Sequence, residues 1–190
     1  MKKINIIEFG AAAFLIVLVA LGDVDTISFF PYSAESGDSY PYSFWGYPSE
    51  VCSEDTYTAY SYMCERRTGE KLLVSFDLSG MSISSSEPIV GIVVYITKCC
   101  EYGQGKDGWV KLPIAGSDSE YNDDFWPVSL TKYMYGNWDD TWGVENLTWG
   151  DIETTNFVVE IVGGNYGPGL YEYLYIDCVE LYICYGSDPL

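Results

Sequence analysis

The sequence predicts an all-β fold, a single jelly-roll-type β-sandwich preceded by a hydrophobic N-terminal helix or signal segment and an extended arm. Three observations carry this. Short runs in which β-branched and aromatic residues alternate with polar ones recur through the chain, bounded by Gly, Asn, Asp and Pro. No apolar stripe of helical period follows residue 22. Large aromatics are abundant, with 18 Tyr, eight Phe and six Trp in 190 residues, and such side chains suit a pleated, half-buried surface.

The chain opens on Met1-Lys2-Lys3, and residues 9–22 then carry no charge or strong polar group. That length fits the apolar core of an export signal, and Ala20-Leu21-Gly22 supplies small residues for cleavage. Retention as a membrane or filament-core helix is the other reading, weakened by Asn5 and Glu8. Membrane contact is expected only through residues 1–22, if they remain uncleaved. Residues 23–50 read as an extended arm. Thr26, Ile27, Ser28, Phe29 and Phe30 form a short strand, and Pro31, Gly37, Pro41, Gly46 and Pro48 break anything longer. With nothing local to pair with, this strand is expected to seek the sheet edge of a neighbouring subunit.

Residues 51–190 form the sandwich. Strands are predicted at 71–78, 89–98, 109–112, 128–135, 157–162 and 171–185, most of them with alternating faces. In 89–98, Ile92, Val94 and Ile96 share one face and Val93, Tyr95 and Thr97 the other. In 171–185, Val179, Leu181 and Ile183 share the core face, leaving Cys178, Glu180, Tyr182 and Cys184 opposite. Seven or more short strands separated by turns read as a sandwich.

Composition narrows the function. A net charge of −19 and only nine Lys plus Arg argue against nucleic acid, whose phosphates need a basic face. Histidine is absent, which removes Ser-His-Asp and Cys-His chemistry and the commonest zinc ligand. No nucleophile motif stands out, so no enzymatic activity and no organic cofactor are expected.

Several segments in order resemble a known module. They are Ser53-Glu54-Asp55-x-Tyr57-x-Ala59, residues 78–83, and Pro88-Ile89-x-Gly91-Ile92-x-Val94-x-Ile96. Then come Tyr135-Gly136, Asp140-x-Trp142-Gly143, Leu147-Thr148-x-x-Asp151-Ile152, Asn156-Phe157-x-Val159 and Ile176-Asp177-x-Val179-x-Leu181-x-Ile183-x-Tyr185. Together they are similar to the secreted jelly-roll sandwich of cell-surface, adhesive, filament and viral or phage structural proteins. The match spans about residues 50–186. The resemblance implies assembly or decoration rather than catalysis, and that family has no catalytic residues to carry over. This chain departs from it in placing cysteines in the strands. Its layout also looks like that of archaeal extracellular filament subunits such as threads and cannulae.

Cys52, Cys64, Cys99, Cys100, Cys178 and Cys184 in an exported chain suggest disulfides. Strand parity favours a bridge from the Cys99-Cys100 pair to Cys178 or Cys184, and Cys52 with Cys64 would close a shorter loop. Asp118, Glu120, Asp123 and Asp124 are hard oxygen ligands on a loop, the type that suits Ca²⁺, although a solvated acidic loop is the plainer reading. Trp126, Trp138, Trp142 and Trp149 lie near loops, where they would either stack on sugars or fill core and interface. Asn146-Leu147-Thr148 is a glycosylation sequon. The leading expectation is a secreted, extracellular or cell-surface structural subunit that polymerises with copies of itself, by strand exchange through the arm. A carbohydrate-binding or adhesive module acting as a monomer, with surface glycans as partners, is the alternative, and a virion surface protein a third.

Overall fold

Two antiparallel sheets pack face to face in the computed structural model, which describes residues 24–37, 45–52, 58–64, 71–167 and 171–186. The hydrophobic segment 1–22 and the Ser53-to-Tyr57 motif lie outside the described residues. In chain order the strands are β1 (Val24–Phe29), β2 (Ser33–Ser36), β3 (Trp45–Gly46), β4 (Ala59–Cys64), β5 (Lys71–Phe76) and β6 (Ile89–Cys100). They continue as β7 (Gly105–Lys111), β8 (Ser119–Glu120), β9 (Thr131–Asn137), β10 (Phe157–Asn165) and β11 (Tyr171–Gly186). A 3-10 turn, Pro48–Val51, follows β3, and one helical turn, α1 (Trp149–Ile152), precedes β10.

The larger sheet runs β3-β4-β11-β6-β9, with β1 also on β11; the smaller runs β2-β5-β10-β7-β8. From β4 onward, successive long strands alternate between the sheets, the winding of a jelly roll. The predicted all-β sandwich is therefore the fold observed. Six predicted strands recur within a few residues of their expected bounds, and β2, β3, β4 and β8 join them.

Alternation supplies the core. Ile92, Val94 and Ile96 of β6 face inward, as do Val179, Leu181 and Ile183 of β11. They meet Leu72, Val74 and Phe76 of β5 and Phe157, Val159 and Ile161 of β10. Trp126, Trp142 and Trp149 fill the ends of this core and are essentially unexposed.

The N-terminal arm departs from expectation. Residues 24–29, including Thr26, Ile27, Ser28 and Phe29, are expected from the sequence to lack a local partner, and they have one. They form β1 within their own chain, antiparallel to β11 from Val24 opposite Gly186 to Phe29 opposite Leu181. Phe30 follows the strand, half-buried. The physical reason lies in the unequal lengths of the partners. β11 has 16 residues, and β4 pairs only with 171–176 of it. The far half of that edge is left with unmatched backbone groups that β1 satisfies. Ile27 and Phe29 thereby enter the core.

A bulge at Asp177 reshapes β11. The register against β6 slips between Ile176 and Cys178. An extra residue in one strand reverses the sense of the alternation beyond it. Leu174 and Ile176 therefore reach the core on one side of the slip, and Val179, Leu181 and Ile183 reach it on the other. Tyr171, Tyr173 and Tyr175 are turned to the outer face.

Candidate functional site

The outer face of the larger sheet gathers a group of aromatic rings. Its side chains stand in cross-strand rows. Tyr62 opposes Tyr173, and Tyr60 opposes Tyr175, which opposes Cys99. Below them Cys178 meets Thr97 and Lys132, then Glu180 meets Tyr95 and Met134, then Tyr182 meets Val93 and Gly136. Two aromatic patches result, one on either side of the Cys178 row.

The first patch is a tyrosine ladder. The Tyr62 and Tyr173 rings are 4.9 Å apart between centroids, and Tyr173 stacks on Tyr175 at 6.3 Å. Tyr171 lies 6.0 Å from Tyr62 and 5.8 Å from Tyr102, while Tyr47 lies 5.9 Å from Tyr60. Buried Glu172 holds the edge of this patch in place. Its carboxylate accepts the backbone N–H groups of Tyr102 (2.9 Å), Gln104 (2.7 Å) and Tyr173 (3.0 Å), which fixes the β6–β7 turn beside Tyr171.

The second patch is a triangle of Tyr95, Trp138 and Tyr182. Tyr182 meets Tyr95 edge-on at 5.4 Å and Trp138 edge-on at 5.8 Å, in the geometry that ring quadrupoles favour. Lys132 lies over the Tyr95 ring at 4.8 Å and is ion-paired with Glu180. The other Glu180 oxygen accepts the Tyr182 hydroxyl at 2.8 Å. Trp138 is 38% exposed, whereas Trp126, Trp142 and Trp149 are at most 2% exposed. Of the four tryptophans that sequence reasoning placed near loops, three are core and one is available at the surface.

Local backbone positions that surface ring. Gly91 lies directly beneath the 137–138 backbone, and a Cβ there would overlap the Trp138 carbonyl. The Ile92 N–H donates to the Asp140 carbonyl (2.9 Å), and the Trp142 indole N–H donates to the Ile92 carbonyl (2.8 Å). Gly136, at φ 72°, turns β9 toward this anchorage.

A polar cluster that sequence reasoning missed lies inside the sandwich. Lys98 of β6 and Asp107 of β7 meet across the two sheets, each side chain 1% exposed. Asp107 also accepts the Trp126 indole N–H (2.8 Å), the Tyr135 hydroxyl (2.6 Å) and the Asn122 N–H (2.9 Å). The Lys98 ammonium contacts the Tyr135 hydroxyl and lies 4.5 Å from the Trp126 ring centre and 4.8 Å from that of Tyr133. Burial pulls its pKa below the usual 10.5, against the opposing pull of Asp107. So enclosed a site offers no ligand an approach, and its role is to tie the sheets together.

The other predicted site residues are dispersed. Asp118 precedes β8, and Glu120 lies within it; burial first, then Asp140 and Asp118, raise the Glu120 pKa. Asp123 gives its carbonyl to the Lys106 ammonium, and the Asp124 N–H donates to Asn122. Among the described residues, no group of three or more His, Cys, Asp or Glu side chains is placed to hold a metal ion, so the four do not converge as a calcium cage would require. Asn146 is exposed at φ 56°, and the Thr148 hydroxyl of its sequon donates to Asp151 at 2.6 Å.

No disulfide joins the cysteines among the described residues. Cys52, Cys99, Cys100, Cys178 and Cys184 are thiols; the Cys64 side chain lies outside the described residues. Cys184 opposes Gly91, eight residues along β6 from Cys99, a separation of roughly 26 Å that no disulfide spans. Cys99 opposes Tyr175 rather than Cys178. Cys100 points into the core and donates to the Trp126 carbonyl at 3.1 Å. Burial, then Cys100, pushes the Cys99 thiol up to about 11.

No known protein family's profile matches the chain, and no curated protein matches it. Among solved structures it is similar to the CBM36-1 domain of a multidomain xylanase from the hindgut metagenome of Trinervitermes trinervoides. That likeness has 14% identity and a TM-score of 0.35, covering 87% of this chain and 99% of the other.

The buried phenols predict an alkaline limit. Burial raises the pKa of Tyr135 and Tyr182 well above 10, reinforced by Asp107 and Glu180 respectively, and raises Tyr133, Tyr175 and Tyr185 as well. A raised folded pKa means stability that is complete below the unfolded value near 10 and is lost as pH climbs through it toward the folded value. Lys98, lowered, acts in the opposite sense but alone. The melting temperature should fall as pH rises above 10, with tyrosinate absorbance lagging until unfolding. A constant melting temperature through that range would contradict the assignment.

Proposed function

We propose that this chain is a non-catalytic glycan-binding module whose outer sheet face stacks on neutral polysaccharide. The observation that carries the reading is the exposed Trp138 ring, held edge-on by Tyr182 beside Tyr95 and flanked by Lys132 and Glu180. Aromatic faces next to hydrogen-bonding side chains suit the alternating apolar faces and hydroxyl edges of sugar rings. A net charge of −19 repels uronate-bearing or sulfated polymers, which leaves uncharged glycans as the ligand class. The reading is non-catalytic because the exposed face offers ring surfaces and a satisfied ion pair, and the chain has no histidine to serve as base. It implies a secreted or cell-surface protein, in keeping with the apolar segment 9–22.

Affinity electrophoresis through gels containing neutral or uronate-bearing polysaccharides tests this. A neutral polymer should retard the monomer, and Trp138→Ala should weaken retention about 30-fold, the loss of a buried aromatic anchor worth ~2 kcal/mol. Equal retention of Trp138→Ala, or no retention by any neutral polymer, would overturn the proposal.

Self-association is a second reading, favoured by one observation. β1 joins β11 along an edge and connects to β2 through residues 30–32 alone, so the β1 of another copy would make the same hydrogen bonds in the same register. Such exchange would build the extracellular polymer that the N-terminal arm first suggested.

A further inference from the structure

Cys52 and Cys178 are partners in an isolated antiparallel bridge. On that edge of β11, β4 stops pairing at Ile176 and β1 starts at Leu181, and Cys52 fills the interval between them. Residues directly opposed in an antiparallel pair have Cα atoms about 4.5–5.5 Å apart, inside the ~4.4–6.8 Å that a disulfide spans. No other two of the described cysteines oppose each other: Cys99 faces Tyr175, Cys184 faces Gly91 and Thr26, and Cys100 faces the core. Cys52 is half-buried and Cys178 almost wholly so, which makes Cys52 the thiol that solvent reaches first.

We infer that Cys52 and Cys178 are an oxidation site, forming a disulfide that locks the 3-10 turn onto β11 between the two aromatic patches. The oxidant is a small-molecule disulfide such as oxidised glutathione. The Cys52 thiolate attacks one of its sulfurs, making a mixed disulfide and releasing one glutathione thiolate. Cys178 then attacks the Cys52 sulfur and releases the second glutathione. Two protein thiols are oxidised and one small disulfide is reduced, and the two thiol protons lost by the protein end on the two released glutathione thiolates. Burial, then Glu50, raises the Cys52 pKa, so exchange is slow at neutral pH and quickens as pH rises toward that value. The bond would also fix Tyr47 against Tyr60 at the margin of the tyrosine ladder.

The full chain is incubated with oxidised glutathione at mildly alkaline pH, alkylated, and digested without reductant for mass spectrometry. The expected product joins the peptides of Cys52 and Cys178, two hydrogens lighter than their reduced sum, with Cys99, Cys100 and Cys184 alkylated. In Cys178→Ser the glutathione adduct should persist on Cys52, and Cys99→Ser should leave the 52–178 link unchanged. A Cys52 linked to Cys64 or Cys99 would overturn the inference. So would a Cys52 that keeps its glutathione in the wild-type chain. The readout is independent of glycan binding, so the two proposals can fail separately.

Discussion

Asp107→Ala should destabilise the fold by about 3–5 kcal/mol, more than Lys98→Met at the other end of the same ion pair. The asymmetry follows from which groups each change strands. Removing the Asp107 carboxylate leaves a buried ammonium, the Trp126 indole N–H, the Tyr135 hydroxyl and the Asn122 N–H without their acceptor. Removing the Lys98 ammonium leaves the carboxylate with three donors still in place, and a methionine stem fills similar volume among Trp126, Tyr133 and Tyr135. Against a total stability of roughly 5–15 kcal/mol, the first change consumes a large share. It should lower the melting temperature by roughly 10 °C. Urea unfolding of both variants and of the pair Lys98→Met/Asp107→Leu checks this. The double variant should recover much of the loss, because an apolar pair of similar volume avoids the desolvation penalty. If Lys98→Met proves the costlier single change, the carboxylate is not the hub of the cluster.

Much of the sandwich was legible because alternation is a local property. The β6 face of Ile92, Val94 and Ile96 and the β11 face of Val179, Leu181 and Ile183 follow directly from spacing, and both reach the core as expected. The same rule carried across residues 171–185 would put Tyr171, Tyr173 and Tyr175 on the face of Val179. Only the slip at Asp177 sends them outside, and no residue in the run announces a bulge. The tyrosine ladder was therefore hidden. Trp138 was legible as one of four tryptophans near loops. Which of the four stayed exposed depends on β6 backbone contacts some 50 residues away from Trp142. The Lys98 cluster was masked in another way: a lysine ending an alternating strand ordinarily marks the strand's emergence into solvent. Here β6 continues to Cys100, so Lys98 turns inward and needs Asp107 from the opposite sheet. The partner of β1 was invisible for the same reason of distance, since Thr26 and Cys184 stand 158 residues apart.

Replacing Ile27 and Phe29 together with alanine should cost roughly 5 kcal/mol or more, and deleting residues 24–29 should cost at least as much. Each of these side chains is 2% exposed, and large-to-small changes at such sites cost about 2–5 kcal/mol apiece. Deletion also strips the β11 backbone from Leu181 to Gly186 of its hydrogen-bond partners on that side, which exposes a fresh sheet edge. The shortened protein should melt well below wild type and tend to associate edge to edge. A synthetic peptide with the sequence of residues 24–29 should restore much of the lost melting temperature by occupying the vacated register, since main-chain pairing supplies the affinity and Ile27 and Phe29 the register. Size-exclusion chromatography with light scattering separates cis pairing from exchange. If β1 lies on its own β11, wild type is a monomer, and the double alanine variant is a less stable monomer. If β1 is exchanged between copies, wild type forms dimers or longer chains at high concentration that the double alanine variant cannot form. A wild-type monomer whose melting temperature is untouched by the double substitution would show that β1 pairs with β11 in neither way.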